Sequence, residues 1–217
     1  MLDIRKELTE FLQNCKWENT NEKEQNLQCY LFAHFLKFTE QGYTVEAETN
    51  IKQNCHLKRF WASHSCIPLS ALDKSEVDLL VYNADFTEVH AIELKWVHER
   101  EGRWNLVDHL EDFKKDLRFC HQLGGLGFTS AFSLVVYDFN PERQVLRVNF
   151  NKNKEEKTAF IGGNYIHGVV PQGGKILGVS FKWEELNNSI SKSHRYYIIG
   201  TDTPTTETRL VNSSNNV

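Results

Sequence analysis

No apolar run in this 217-residue chain approaches the ~18 residues needed to cross a bilayer, which argues against a transmembrane helix. The opening Met1-Leu2-Asp3-Ile4-Arg5-Lys6-Glu7 lacks the basic-then-apolar profile of a secretory signal. An even cysteine framework is missing too. Cys15, Cys29, Cys55, Cys66 and Cys120 are odd in number and scattered, which argues against disulfides and fits a reducing compartment. These absences lead us to expect a cytoplasmic protein with no membrane partner. Positive charge is also short: 25 Lys and Arg against 29 Asp and Glu give a formal charge of −4. No global field would then gather a polyanion, so any nucleic acid must be held by a local basic strip or by metal. There is no internal repeat, no Ser-His-Asp pattern and no nucleotide-binding glycine loop. Gly124-Gly125-Leu126-Gly127 follows a helical pattern instead of opening one, and reads as a C-cap and turn.

What is present is an ordinary globular composition, 40% hydrophobic and 25% charged. The length suits one domain with a real core. We place that domain at residues 1–200, its core at about 22–150, and a polar tail at 201–217. Ile4, Leu8, Phe11, Leu12 and Cys15 recur at helical spacing behind an Asp3 cap. Leu27, Tyr30, Leu31, His34, Phe35 and Phe38 mark a stronger helix, stopped by Gln41-Gly42. Tyr43 to Ile51 alternates as a half-exposed strand, whereas residues 52–75 show no clear period. Leu106, Leu110, Phe113, Leu117 and Cys120 predict a further helix. Strands are expected over Thr129–Phe139, Val145–Phe150, Ile176–Phe181 and Tyr196–Ile199. This order implies an α/β fold, a central mixed sheet flanked by helices.

The chemistry concentrates between Asp78-Leu79-Leu80-Val81-Tyr82 and Ala91-Ile92-Glu93-Leu94-Lys95-Trp96, two apolar strands joined by Asn83-Ala84-Asp85 turn residues. Alternation puts Asp78, Leu80 and Tyr82 on one face of the first strand, and Val77, Leu79 and Val81 on the other. On the second strand Ala91, Glu93 and Lys95 share a face. Pairing would bring Asp78 near Glu93 and Lys95. Burying two carboxylates and an amine is unfavourable unless a cation and hydrogen bonds compensate. The bland alternative is a surface hairpin with an ion pair between Lys95 and Asp78 or Glu93.

Asp78, Glu93-Leu94-Lys95 and an acid in the preceding helix, best matched by Glu24, resemble the PD-(D/E)XK, or restriction-endonuclease-like, nuclease superfamily. The resemblance covers the order of elements from about residue 22 to 137. Val77 stands where the superfamily usually has proline. The resemblance implies a restriction-endonuclease-like core and a Mg²⁺- or Mn²⁺-dependent nuclease hydrolysing phosphodiester bonds in nucleic acid, with DNA favoured over RNA. It implies Asp78, Glu93 and the Leu94 carbonyl as metal ligands. Lys95 would activate water or stabilise developing charge, and Glu24 would be a fourth member. An ammonium beside two carboxylates stays protonated, which favours the electrostatic role. Gln25 and Gln28 share Glu24's turn, and Glu76 shares Asp78's face.

For nucleic acid we single out Lys114, Lys115 and Arg118 on the helix after the motif, and Arg100, Arg103 and Trp104 just beyond Lys95. Lys52, Lys58, Arg59, Phe60 and Trp61 interleave basic and aromatic groups as single-strand binders do. Each cluster has a plain reading as a solvated face. Cys55, His56, His64 and Cys66 are candidate zinc ligands, although their spacing matches no zinc finger and ordinary packing explains them more simply. His34 and Cys120 read as core residues. A rival function is a non-catalytic nuclease-like module that binds nucleic acid or a protein. Cutting both strands with one site per chain would call for a homodimer. The acidic charge would suit a partner protein that brings the substrate.

Overall fold

The computed structural model describes residues 1–15, 24–64, 68–97, 106–137, 173–176, 179–182, 184–185 and 195–201. Helix α1 (Ile4–Asn14) starts where the Asp3 carboxylate accepts the Lys6 N–H, and it buries Ile4, Leu8, Phe11 and Leu12. Helix α2 (Glu24–Phe35) buries Leu27, Leu31 and Phe35. It tightens into a 3-10 turn, Leu36–Gln41, which Gly42 ends with φ 85°. Strand β1 (Tyr43–Asn50), helix α3 (Leu57–His64), β2 (Glu76–Asn83) and β3 (Val89–Val97) follow. Helix α4 (Leu106–Gly125) then crosses to β4 (Ser130–Tyr137). The remaining described strands are β5 (Gly173–Ile176), β6 (Val179–Lys182), β7 (Glu184–Glu185) and β8 (Arg195–Gly200).

The main sheet runs β1-β2-β3-β4-β8-β7, with β7 a two-residue edge piece. β1, β2 and β3 form an antiparallel meander, β3 and β4 are parallel, and β8 returns antiparallel to β4. The architecture is α/β, a mixed open sheet with helices on both faces. On one face α1 and α2 pack on Leu79, Val81, Ile92, Leu94, Trp96, Phe132, Leu134 and Val136. On the other, α3 and α4 pack on Leu80, Tyr82, Val89, Ala91 and Ala131. Leu31 sits in the first layer with no exposure, so Leu31→Ala should destabilise the fold by about 2–5 kcal/mol. Urea unfolding checks this as a lower midpoint at unchanged m-value. No helix among the described residues is long and apolar enough to cross a membrane.

Three sequence expectations need correction. The stretch 52–75 contains α3, whose Leu57, Phe60 and Trp61 are buried at i, i+3, i+4 spacing. Phe60 and Trp61 therefore belong to the core, with the Trp61 indole donating to the Ile51 carbonyl at 3.3 Å, and they offer no stacking platform to bases. The single strand expected over Ile176–Phe181 is instead the hairpin β5–β6, in a sheet of its own. The expected strand Val145–Phe150 and the tail 202–217 lie outside the described residues.

Third, strict alternation does not hold along β1 and β2. Val45 and Val81 pack in the α1/α2 layer, yet Ile51 and Val77 pack in the α3/α4 layer. Both strands exchange faces between these positions. The change falls at Glu48, which has φ 50° and stands opposite Asp78 between the pairs Ala47–Leu79 and Thr49–Val77. A positive φ at a non-glycine residue is unfavourable backbone, and such strain clusters at functional sites.

Candidate active site

The site lies where β2 peels away from β3. Their ladder runs from Tyr82–Val89 to Leu79–Ile92 and stops there, while β3 continues beside β4 to Val97–Tyr137. Beyond Ile92, β3 has an open edge, and its amides must find acceptors elsewhere. Two carboxylates supply them. Asp78 Oδ2 accepts the Leu94 N–H at 2.7 Å, and Glu24 Oε2 accepts the Trp96 N–H at 3.0 Å. Gln28, one turn along α2 from Glu24, donates to the Asp78 carbonyl at 3.0 Å. Asp78 is thus fixed from both sides.

Glu93 and Lys95 alternate with Ile92, Leu94 and Trp96, which fill the α1/α2 layer. Lys95 stays 30% exposed with its ammonium 3.8 Å from Glu24 Oε2. Glu93 is only 1% exposed. Its partner is a residue the sequence pattern did not reveal: Lys74, just before β2, donates to Glu93 Oε2 and, at 2.9 Å, to Asp116 Oδ1 on α4. The bland alternative, a surface ion pair of Lys95 with Asp78 or Glu93, is not what forms. Lys95 pairs with Glu24, and Glu93 with Lys74. Glu93 Oε1 is buried without a hydrogen-bond partner.

The electrostatics follow from crowding acids in a dry place. Burial pushes the Glu93 carboxyl up to about 8, the Asp78 charge adds to the rise, and Lys74 opposes it. Burial likewise pushes Asp78 up to about 6, against the Leu94 N–H and Lys74, while Glu24 and Asp116 reinforce it. Asp116 is also raised, mainly by burial. Burial alone would lower Lys74, but Glu93 and Asp116 outweigh it and hold its ammonium above the ordinary value. Asp78, Glu93 and Asp116 thus share Lys74, so the cluster is short of positive charge near neutrality. Protons or a further cation must make up the difference.

A hard divalent ion fits that deficit. Carboxylate oxygens suit Mg²⁺ or Mn²⁺, and Glu93 Oε1 is a buried acceptor with nothing to accept. No three His, Cys, Asp or Glu side chains among the described residues converge as a ligand group. A set of Asp78, Glu93 and the Leu94 carbonyl would therefore leave waters to fill the shell, as Mg²⁺ commonly does.

Of the residues singled out from sequence, Glu24, Asp78, Glu93 and Lys95 come together. Gln25 and Glu76 are exposed. Lys115 is exposed on α4, and Arg118 is engaged at 3.4 Å with Asp73. The Lys114 side chain and all of Arg100, Arg103 and Trp104 lie outside the described residues. Cys55 and His56 are exposed, while the His64 side chain and Cys66 are not described. His34 lies half-buried between Phe11 and Phe35, 3.3 Å from Glu7, and Cys120 is core. No family model, curated protein or solved structure matches the chain.

Proposed function

We propose that this chain is a restriction-endonuclease-like, metal-dependent nuclease that hydrolyses phosphodiester bonds in nucleic acid, with DNA favoured over RNA as substrate. The observation that carries the reading is Glu93 Oε1, a buried carboxylate oxygen with no partner, beside an Asp78 fixed at the point where two strands part. The order α2-β1-β2-β3-α4-β4, with an antiparallel meander and a parallel fourth strand, supports the superfamily assignment.

Bound Mg²⁺ or Mn²⁺ would supply charge neutralisation at the phosphate and an acidified water, with Asp78, Glu93 and the Leu94 carbonyl holding it. The chain's own groups do the rest. Asp78 offers its second oxygen while Oδ2 is committed to Leu94, so the carboxylate enters the site pre-oriented. Lys95, partly exposed beside Glu24, would offer its ammonium to a phosphate oxygen or to the attacking water. Glu24 keeps that ammonium at the mouth of the site and caps Trp96.

The test is incubation of the purified chain with linear, circular and single-stranded DNA and with RNA, in Mg²⁺, Mn²⁺ or EDTA. Cleavage of DNA that requires the metal and is lost in Asp78→Asn is the expected result. A folded chain that cuts nothing in either metal overturns the proposal. One observation favours the rival non-catalytic module: Lys74 already gives Glu93 a cation. Such a module would bind nucleic acid or a protein partner equally well in EDTA and after Glu93→Ala.

A further inference from the structure

Lys74 is a cation that the proposed reaction does not use. It reaches Glu93 Oε2 and Asp116 Oδ1 and lies 5.6 Å from the Phe119 ring centroid, yet a quarter of its side chain is exposed. It occupies one oxygen of Glu93 and leaves the other, buried Oε1, without a partner. A divalent ion on Oε1 would share a single carboxylate with the ammonium. Two cations on one carboxylate repel strongly where water is scarce. Lysine can yield, because its charge rides on a flexible four-carbon stem and here already touches solvent.

We infer that Lys74 is a tethered counter-ion of the acidic site, neutralising Glu93 and Asp116 in the metal-free protein and moving toward solvent when a divalent ion binds. It thereby sets metal affinity below what the carboxylates alone would give. The inference rests on the metal-dependent reading above. Neither Asp116 nor Lys74 needs to touch substrate. The role of Lys74 is to keep the buried Glu93 and Asp116 carboxyls compatible with folding before the metal arrives.

Titration calorimetry with Mn²⁺ at pH 8, without nucleic acid, tests this on wild type, Lys74→Met and Lys74→Arg. Removing a unit charge so close to the ion should tighten Mn²⁺ binding by about tenfold or more in Lys74→Met. Lys74→Arg should stay near wild type. A wild type that binds Mn²⁺ and a Lys74→Met that binds it equally or more weakly overturn the counter-ion and leave the metal reading standing. No Mn²⁺ binding by any of the three overturns both. A second measurement needs no variant: acetylation of Lys74, quantified by peptide mass spectrometry against exposed Lys6 and Lys37. Reactivity should rise several-fold from EDTA to Mg²⁺. Unchanged or reduced reactivity overturns the displacement, even if Lys74→Met does not fold.

Discussion

Glu93→Gln should lower metal-dependent cleavage by about a thousand-fold or more while the chain stays folded. The amide would keep the size and one carbonyl oxygen of the original side chain but carry no charge for a metal. The informative part is the comparison with stability. If the Lys74–Glu93 pair were only structural, breaking it would strand a buried charge and cost about 3–5 kcal/mol. Lys74 keeps Asp116 in the variant, however, and burial already pushes the Glu93 carboxyl up to about 8. Glu93→Gln should therefore melt no lower than wild type at pH 8 in EDTA. Loss of turnover with an unchanged melt marks a site held for function. Unchanged turnover would sink the catalytic role, whereas a large fall in stability would show that the Lys74 pair also holds the fold. Lys95→Ala should also cut turnover steeply, and its partial exposure means little stability is lost.

What could be read from the sequence divides along physical lines. Asp78, Glu93 and Lys95 stood out because charges in apolar, alternating strands are unfavourable, and Glu24 because it borders a strong helical stripe. Two partners escaped notice. Lys74 lies in a loop with no period to reveal it. Asp116 did leave a signal: it falls three after Phe113 and four before Cys120, inside the buried stripe of α4. A carboxylate there needs a partner, and that question would have led to a lysine. Strict alternation through Val77 failed for a different reason. The face exchange at Glu48 and Asp78 is marked in β1 by the positive φ of Glu48, which a binary pattern does not encode. Asp78, at that exchange, accepts the Leu94 N–H. The missed α3 carried a readable i, i+3, i+4 signal in Leu57, Phe60 and Trp61, masked by its basic and polar neighbours.

In EDTA, the Asp78 and Glu93 carboxyls should make the fold less stable as pH rises, and a divalent ion should reverse that loss. The sign follows from proton binding. Asp78 goes from 3.8 to about 6, and Glu93 from 4.5 to about 8, so the folded state holds both protons more tightly than the unfolded chain. The stability they contribute is complete below about pH 4 and is lost as pH climbs through 6 and then 8. Lys74 is raised above 10.5, so its contribution stays constant across this window. His34, His90 and His121 are lowered by burial and act oppositely, adding stability as pH rises toward 6.5. The measurement is therefore a difference in melting temperature between wild type and Asp78→Asn/Glu93→Gln, from pH 5 to 9. Wild type should lose ground to the double variant as pH rises. Saturating Mg²⁺, at about 100 times its Kd, should restore about 2.7 kcal/mol, several degrees for a chain of this size. The rescue should be largest at pH 8.5, where few protons compete for the two carboxylates, and small at pH 5.5. A Mg²⁺ effect that is the same at both pH values, or that survives in the double variant, would place the ion elsewhere and remove Asp78 and Glu93 from the metal site.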